Sequence, residues 1–173
     1  MQYACSSVGS LSHSHWPRGE RACLNLDVND ELLDAPDGYE ISTDPARLDV
    51  DLIHRWLSQD AYWAMGRSRE KQDRAVATSL NFGLYNSASG AQVGYARVIT
   101  DHATFGWLCD VYIDPAERGQ GLGTALVVAV RDHLAPDGLR SVLLATADAQ
   151  EVYAKVGFEP LAKPEKWMAL GDQ

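Results

Sequence analysis

The chain has 173 residues and a mass of 19.0 kDa, a length at which one domain with a sizeable core is the default. Hydrophobic residues make up 46%, which excludes a disordered chain, and no apolar run approaches the roughly 18 residues of a membrane span. A net charge of −9 argues against nonspecific nucleic-acid binding and would favour a cationic or amine partner. No charged start followed by an apolar region marks a secretory signal. Cys5, Cys23 and Cys109 lack paired metal-ligand spacing, and their odd number points to free thiols in a reducing cytoplasm.

Residues 1–37 mix Ser, His, Gly and Pro without a period of two or 3.6, so a poorly structured extension is expected there. His13 and His15 with Cys5 and Cys23 could be drawn as a metal site, but the irregular spacing favours a solvated tail. This stretch could also be an extension upstream of the natural start. Ala35-Pro-Asp-Gly38 reads as the turn closing it, and residues 38–173 form the expected domain. Tyr39 to Thr43 is the first expected strand. Asp49 is placed to cap a helix, with Leu48 stapling onto Ile53 and an apolar face of Leu52, Ile53, Trp56 and Leu57. An aromatic loop runs to Arg67. Ser68 then caps a weakly amphipathic helix expected to reach about Leu80. Strands follow at Asn81 to Tyr85 and Gln92 to Thr100, joined by the hairpin loop Asn86-Ser-Ala-Ser-Gly90.

Phe105-Gly-Trp-Leu-Cys-Asp-Val-Tyr-Ile113 reads as a strand that Asp114-Pro115 ends. Leu122, Ala125, Leu126, Ala129, Val130, His133 and Leu134 recur at helical spacing. Between them lies Arg118-Gly-Gln-Gly-Leu-Gly-Thr124. Glycines let the backbone approach a ligand closely, the first helical turn offers free N–H groups and a favourable dipole to an anion, and Arg118 adds a fork suited to phosphate. A P-loop would need Lys-Ser/Thr after its second glycine, and none is present. The dinucleotide fingerprint Gly-x-Gly-x-x-Gly/Ala fails in both registers, which end at Thr124 and Leu126. A turn that merely joins strand to helix is the plain alternative. Downstream, Ala135-Pro-Asp-Gly138 breaks the chain, and Arg140 to Thr146 reads as a buried strand. Asp148 to Val156 is a short helix with Gly157 past its end, and Lys166 to Leu170 is the expected last strand.

Arg-x-x-Gly-x-Gly after a strand ending in Asp-Pro resembles the pyrophosphate-binding motif of the GCN5-related N-acetyltransferases (GNAT). Tyr153-Ala-Lys-Val-Gly-Phe158 resembles that family's Tyr-x-x-x-Gly-Phe, and the similarity spans about Tyr39 to Leu170. The resemblance implies an α/β (α+β) acyl-CoA N-acyltransferase fold. This is a mixed, mostly antiparallel sheet of about six to seven strands with about four helices, splayed between its fourth and fifth strands. It also implies acetyl-CoA as acyl donor, no metal, and direct transfer of acetyl to a primary amine of a small molecule or peptide. It admits a homodimer.

By that resemblance the pantetheine arm would pair with the main chain of Val111, Tyr112 and Ile113, and the pyrophosphate would sit on Arg118, Gly119, Gln120, Gly121, Leu122, Gly123 and Thr124. Tyr153 would protonate the leaving sulfur, unless it simply packs on the sheet. Asp110, a carboxylate in an apolar strand, is the first choice for general base. Pairing with Arg97, or a water chain in its place, is the alternative. Strand alternation would put Asp110 on the face opposite Cys109 and Val111. Cys109 reads as a buried thiol, His54 as a helix-face residue and His102 as a turn residue. By the same resemblance Asp60, Tyr62, Trp63 and Arg67 are expected to wall the acceptor, with aromatic core packing as their alternative. Two competing functions remain: a non-catalytic module that holds acyl-CoA, and an acyltransferase for a protein or RNA-linked acceptor.

Overall fold

The computed structural model describes residues 32–171. Most of the expected extension, with Cys5, His13, His15 and Cys23, lies outside the described residues. Six strands form one sheet in the order of the chain: β1 (Leu32–Leu33), β2 (Tyr39–Ser42), β3 (Leu80–Asn86), β4 (Gln92–Thr100), β5 (Phe105–Ile113) and β6 (Ser141–Leu143). Neighbours are antiparallel except β5 and β6, which are parallel. Four α-helices complete the described fold: α1 (Val50–Gln59), α2 (Arg69–Ala77), α3 (Leu122–Leu134) and α4 (Gln150–Ala154). The sheet and helices are those expected for the acyl-CoA N-acyltransferase fold, whose fourth and fifth strands correspond to β5 and β6.

The caps read from the sequence are in place. Asp49 accepts a hydrogen bond from Leu52 N at 2.9 Å to start α1, and Ser68 accepts one from Lys71 N at 3.4 Å to start α2. Helix α2 stops at Ala77 rather than near Leu80, because Leu80 is taken into β3 as the ladder partner of Val98.

Each face of the sheet carries its own core. Leu122, Leu126, Val127 and Val130 of α3 pack on Phe82, Leu84, Ala96, Val98 and Leu108. On the other face Ile53, Trp56 and Leu57 of α1 pack on Tyr95 and Tyr112. Adjacent residues of β4 serve opposite cores, Tyr95 one and Ala96 the other, as the pleat requires. Full burial of Leu126 and Val127 contributes about 1.5–3 kcal/mol each, so α3 is held by packing more than by helix propensity.

Strand β5 departs from simple alternation. Tyr95 pairs with Tyr112 and Arg97 with Cys109, so three steps on β5 face two on β4, and the extra residue is a bulge. Asp110 takes the left-handed φ of 54° there. The bulge changes the parity of the strand. Leu108 packs with α3, Val111 and Ile113 also pack on that side, and Tyr112 packs with α1. Asp110 therefore bonds to Arg97, the cross-strand partner of Cys109, instead of lying opposite Cys109 as alternation predicts.

Three other expectations are corrected. Leu32–Leu33, inside the stretch expected to be unstructured, pairs with Ser42 and Ile41. β6 is only Ser141–Leu143 and half-buried, because among the described residues it is the edge of the sheet with a neighbour on one side. Lys166 to Leu170 forms no strand: a 3₁₀ turn over Pro164–Lys166 leads into chain that no strand among the described residues pairs.

Candidate active site

The β5–β6 ladder consists of Phe105–Ser141, Gly106–Val142 and Trp107–Leu143 and goes no further. From Leu108 to Ile113, β5 has no neighbour on that side among the described residues, so the two strands part. A cleft of about 500 Å³ occupies the gap. One end is the glycine turn at the start of α3, and Tyr153 of α4 stands in its wall.

Gly119 has φ 84° and Gly121 φ 79°, left-handed values that glycine adopts without strain. A Cβ at either position would touch nothing, so backbone conformation rather than space demands glycine. Gly121 is the N-cap of α3 and brings no capping side chain. Ala125 N reaches Gly121 O at 3.0 Å, which leaves the preceding amides of Leu122, Gly123 and Thr124 without intrahelical acceptors. These amides, with the positive end of the helix dipole, border the cleft and suit an anion.

Val111, Tyr112, Ile113, Arg118, Gly119, Gly121, Leu122, Gly123 and Thr124 all line the cleft, as the motif reading placed them. Gln120 does not. Its amide turns to the Glu117 carboxylate at 3.0 Å, and Tyr39 donates to the same carboxylate at 2.7 Å. Arg118 lies 5.3 Å over the Tyr112 ring, donates from Nε to Ile113 O at 2.9 Å, and approaches Asp60 at 3.4 Å. Tyr112 donates to the same Asp60 oxygen at 2.5 Å. Burial, then the bond to Asp60, pushes the Tyr112 phenol up to about 12.

Tyr153 is half-buried, with its ring edge-on to Phe158 at 5.9 Å. Burial raises its phenol above the ordinary range, with Tyr62 and Asp148 adding to the effect, so it is a neutral proton donor at pH 7. Tyr62 and Trp63 meet edge to face at 5.0 Å on the cleft wall. Tyr62 donates to Asp148 at 3.3 Å and accepts from Ala147 N at 3.2 Å, which ties the α1–α2 loop to the segment entering α4 across the cleft. Sequence reasoning missed Asp148 because that contact joins segments far apart in the chain.

Asp110 and Arg67 are placed elsewhere, a correction to both expected roles. The side chain of Asp110 is 1% exposed and does not line the cleft. Arg67 donates to both of its oxygens at 2.6 and 3.0 Å, and Arg97 Nε donates at 2.6 Å. Burial alone would raise this carboxyl. The Arg67 hydrogen bonds and the Arg97 charge overcome it and hold the group below the ordinary carboxylate range. A carboxylate so stabilised is a poor base. Arg67 is spent on Asp110 and on Gln72 at 3.0 Å, and does not line the cleft. Burial pushes the neighbouring Cys109 thiol up to about 11, which disfavours its thiolate. Trp56 is core, stacked on Tyr112 at 5.2 Å. His54 Nε2 lies 3.0 Å from Arg67 O, and His102 sits in its turn beside Asp137. Among the described residues no three His, Cys, Asp or Glu side chains gather as a metal site, and no helix is long and apolar enough to cross a membrane.

Residues 80–160 match the family model described as Acetyltransferase (GNAT) domain. A Gibberella zeae protein carrying an acetyltransferase name is 36% identical over 135 residues, covering 68% of this chain and 76% of that protein. A Xanthomonas campestris pv. campestris structure assigned to the GNAT family is 43% identical with a TM-score of 0.74, over 80% of this chain and 96% of its own. An acetyltransferase from Clostridium acetobutylicum, solved with acetyl-CoA, shares the fold at 16% identity and a TM-score of 0.58, over 77% of this chain and 94% of its own. With that fold, the cleft and the glycine turn, the chain belongs to the GCN5-related N-acetyltransferase family of acetyltransferases.

Proposed function

We propose that this acetyltransferase uses acetyl-CoA as donor and carries the acetyl group to the primary amine of a small molecule or peptide by direct attack. The observation that carries this reading is the single cleft running from the amides of Leu122, Gly123 and Thr124 to the phenol of Tyr153. Its two ends match the two ends of the pantetheine arm of an acyl-CoA: a site for diphosphate and a proton donor for sulfur. The diphosphate would rest on the turn from Gly119 to Thr124 with Arg118 beside it, and the pantetheine amides on the unpaired side of β5 at Val111 to Ile113.

Attack of an amine on a thioester needs a free lone pair on nitrogen and a proton for the departing thiolate. Tyr153, kept protonated by burial, supplies that proton. Asp110 is excluded as the base by its two arginines, so the ammonium proton passes to water in the open cleft. Tyr62 and Trp63 form the acceptor wall, and Asp148, tied to Tyr62, adds negative charge that favours a cationic acceptor.

Titration calorimetry with acetyl-CoA tests the donor. Binding should weaken in Arg118→Ala, and unchanged affinity would remove Arg118 from the diphosphate site. A panel of amines with thiol detection tests the acceptor. Tight binding with no thiol release from any amine would favour the non-catalytic module.

A further inference from the structure

The ion cluster beneath α2 is one negative charge short. Arg67 and Arg97 share the single carboxylate of Asp110. Arg97 is 9% exposed, so the surplus positive charge lies largely out of solvent. The cluster is also short of acceptors: Gln72 is fully buried, and among the described residues its Nε2 has no partner. A buried charge without a counter-ion is costly, so this surplus points to a missing anion.

Arg97 leads from the cluster to the surface. Its Nε is given to Asp110, and its Nη1 donates to Ser79 Oγ at 3.1 Å. Arg97 and Ser79 line an open pocket of about 330 Å³, together with Lys71 and Arg74 of α2. No carboxylate lines it, although the chain as a whole carries a net charge of −9. The pocket shares no residue with the cleft.

Lys71 and Arg74 are three residues apart and stand on one face of α2. Lys71 has no ion-pair partner among the described residues. Arg74 donates to Glu70 at 3.2 Å, but both side chains stand mostly in solvent, where a helix pair of this kind contributes little. Thr78 Oγ1, also at the pocket, is spent on Arg74 O at 2.8 Å. Ser79 Oγ accepts from Arg97 and keeps its own hydrogen to donate. Guanidinium, ammonium and hydroxyl donors around one opening suit the oxygens of a phosphate group.

We propose that this pocket is a second ligand site, which takes the phosphate group of a small molecule. Arg97 and Ser79 form its floor, and Lys71 and Arg74 form its rim. The phosphate supplies the negative charge that the cluster lacks, through direct contact with Arg97.

The test uses the full chain, isotope-labelled and followed by NMR. Sodium phosphate is titrated in, with sodium chloride at matched ionic strength as the comparison. The Arg97 Nε–H and Ser79 amide signals should shift with phosphate and saturate, while chloride leaves them in place. The amides of Gly121 to Thr124 give the separate response of the cleft. Lys71→Gln with Arg74→Gln should weaken phosphate at Ser79 by about tenfold or more. Both side chains are exposed on α2, so the substitutions remove no core contact. Equal shifts with chloride would overturn the proposal, since they mean screening and not a site. So would shifts confined to the cleft amides, or undiminished phosphate affinity in the double variant.

Discussion

Arg97 reaches across the β4–β5 ladder to Asp110, with Nε 2.6 Å from Oδ2, although its register partner is Cys109. The mismatch is the bulge. Asp110 holds a left-handed conformation there, with two guanidiniums on its carboxylate. The residues after it change face, so Val111 and Ile113 pack toward α3 and Tyr112 packs against Trp56. The group expected to do chemistry instead shapes the strand that lines the cleft.

Asp110→Ala should destabilise the protein by about 3–5 kcal/mol, since it leaves two arginines near the core without their counter-charge. Asp110→Asn tolerates the left-handed backbone and separates charge from conformation. The folded-state pKa of Asp110 is depressed, so its contribution is present above the unfolded value and is lost as pH falls through the folded one. Urea unfolding should show the parent and Asp110→Asn converging in stability as pH drops below about 4. A gap that stays constant with pH would mean the carboxylate carries no net pairing energy.

Tyr153→Phe keeps the ring against Phe158 and removes only the hydroxyl. Turnover should fall about 10²-fold with acetyl-CoA affinity intact, the pattern of a lost general acid. Because burial raises the Tyr153 pKa, loss of the acid should show only as a falling alkaline limb beyond the ordinary tyrosine range, on top of the rise that accompanies deprotonation of the acceptor amine. Steady-state kinetics against pH reads both, and a fall in affinity with unchanged kcat would make Tyr153 a packing residue.

Gly121→Ala meets no atom yet must hold φ 79°, so its effect is backbone strain. The expected loss is about 1–2 kcal/mol of stability, with weaker acetyl-CoA binding as the turn shifts. Denaturation and calorimetry on the same variant check the pair. Full stability with lost binding would instead point to obstruction of the ligand.

Cys109 should resist alkylation in the native protein, because burial pushes its thiol up to about 11 and leaves almost no thiolate near pH 8. Peptide mapping after iodoacetamide should find it labelled only once urea is added. Rapid native labelling would show that β5 opens on that edge.

Local physics made much of this protein legible in its sequence. Asp49 and Ser68 mark helix starts because a cap needs only its own next turn. The strand signal of β4, the helical period of α3 and the glycine spacing of the 118–124 turn are likewise short-range, and together with the family resemblance they pointed to the cofactor turn. What the sequence could not supply depends on groups brought together from a distance. The sequence offers Asp110 either a role as base or Arg97 as its partner, and the pairing holds; only the arrival of Arg67 from the α1–α2 loop, which the sequence does not foresee, completes the structural ion. Tyr62 meets Asp148 across the cleft for the same reason. Lys166 to Leu170 has the composition of a strand, but a strand exists only where a neighbour offers its backbone. None of the described chain does so, and that pairing is decided by tertiary structure and not by propensity.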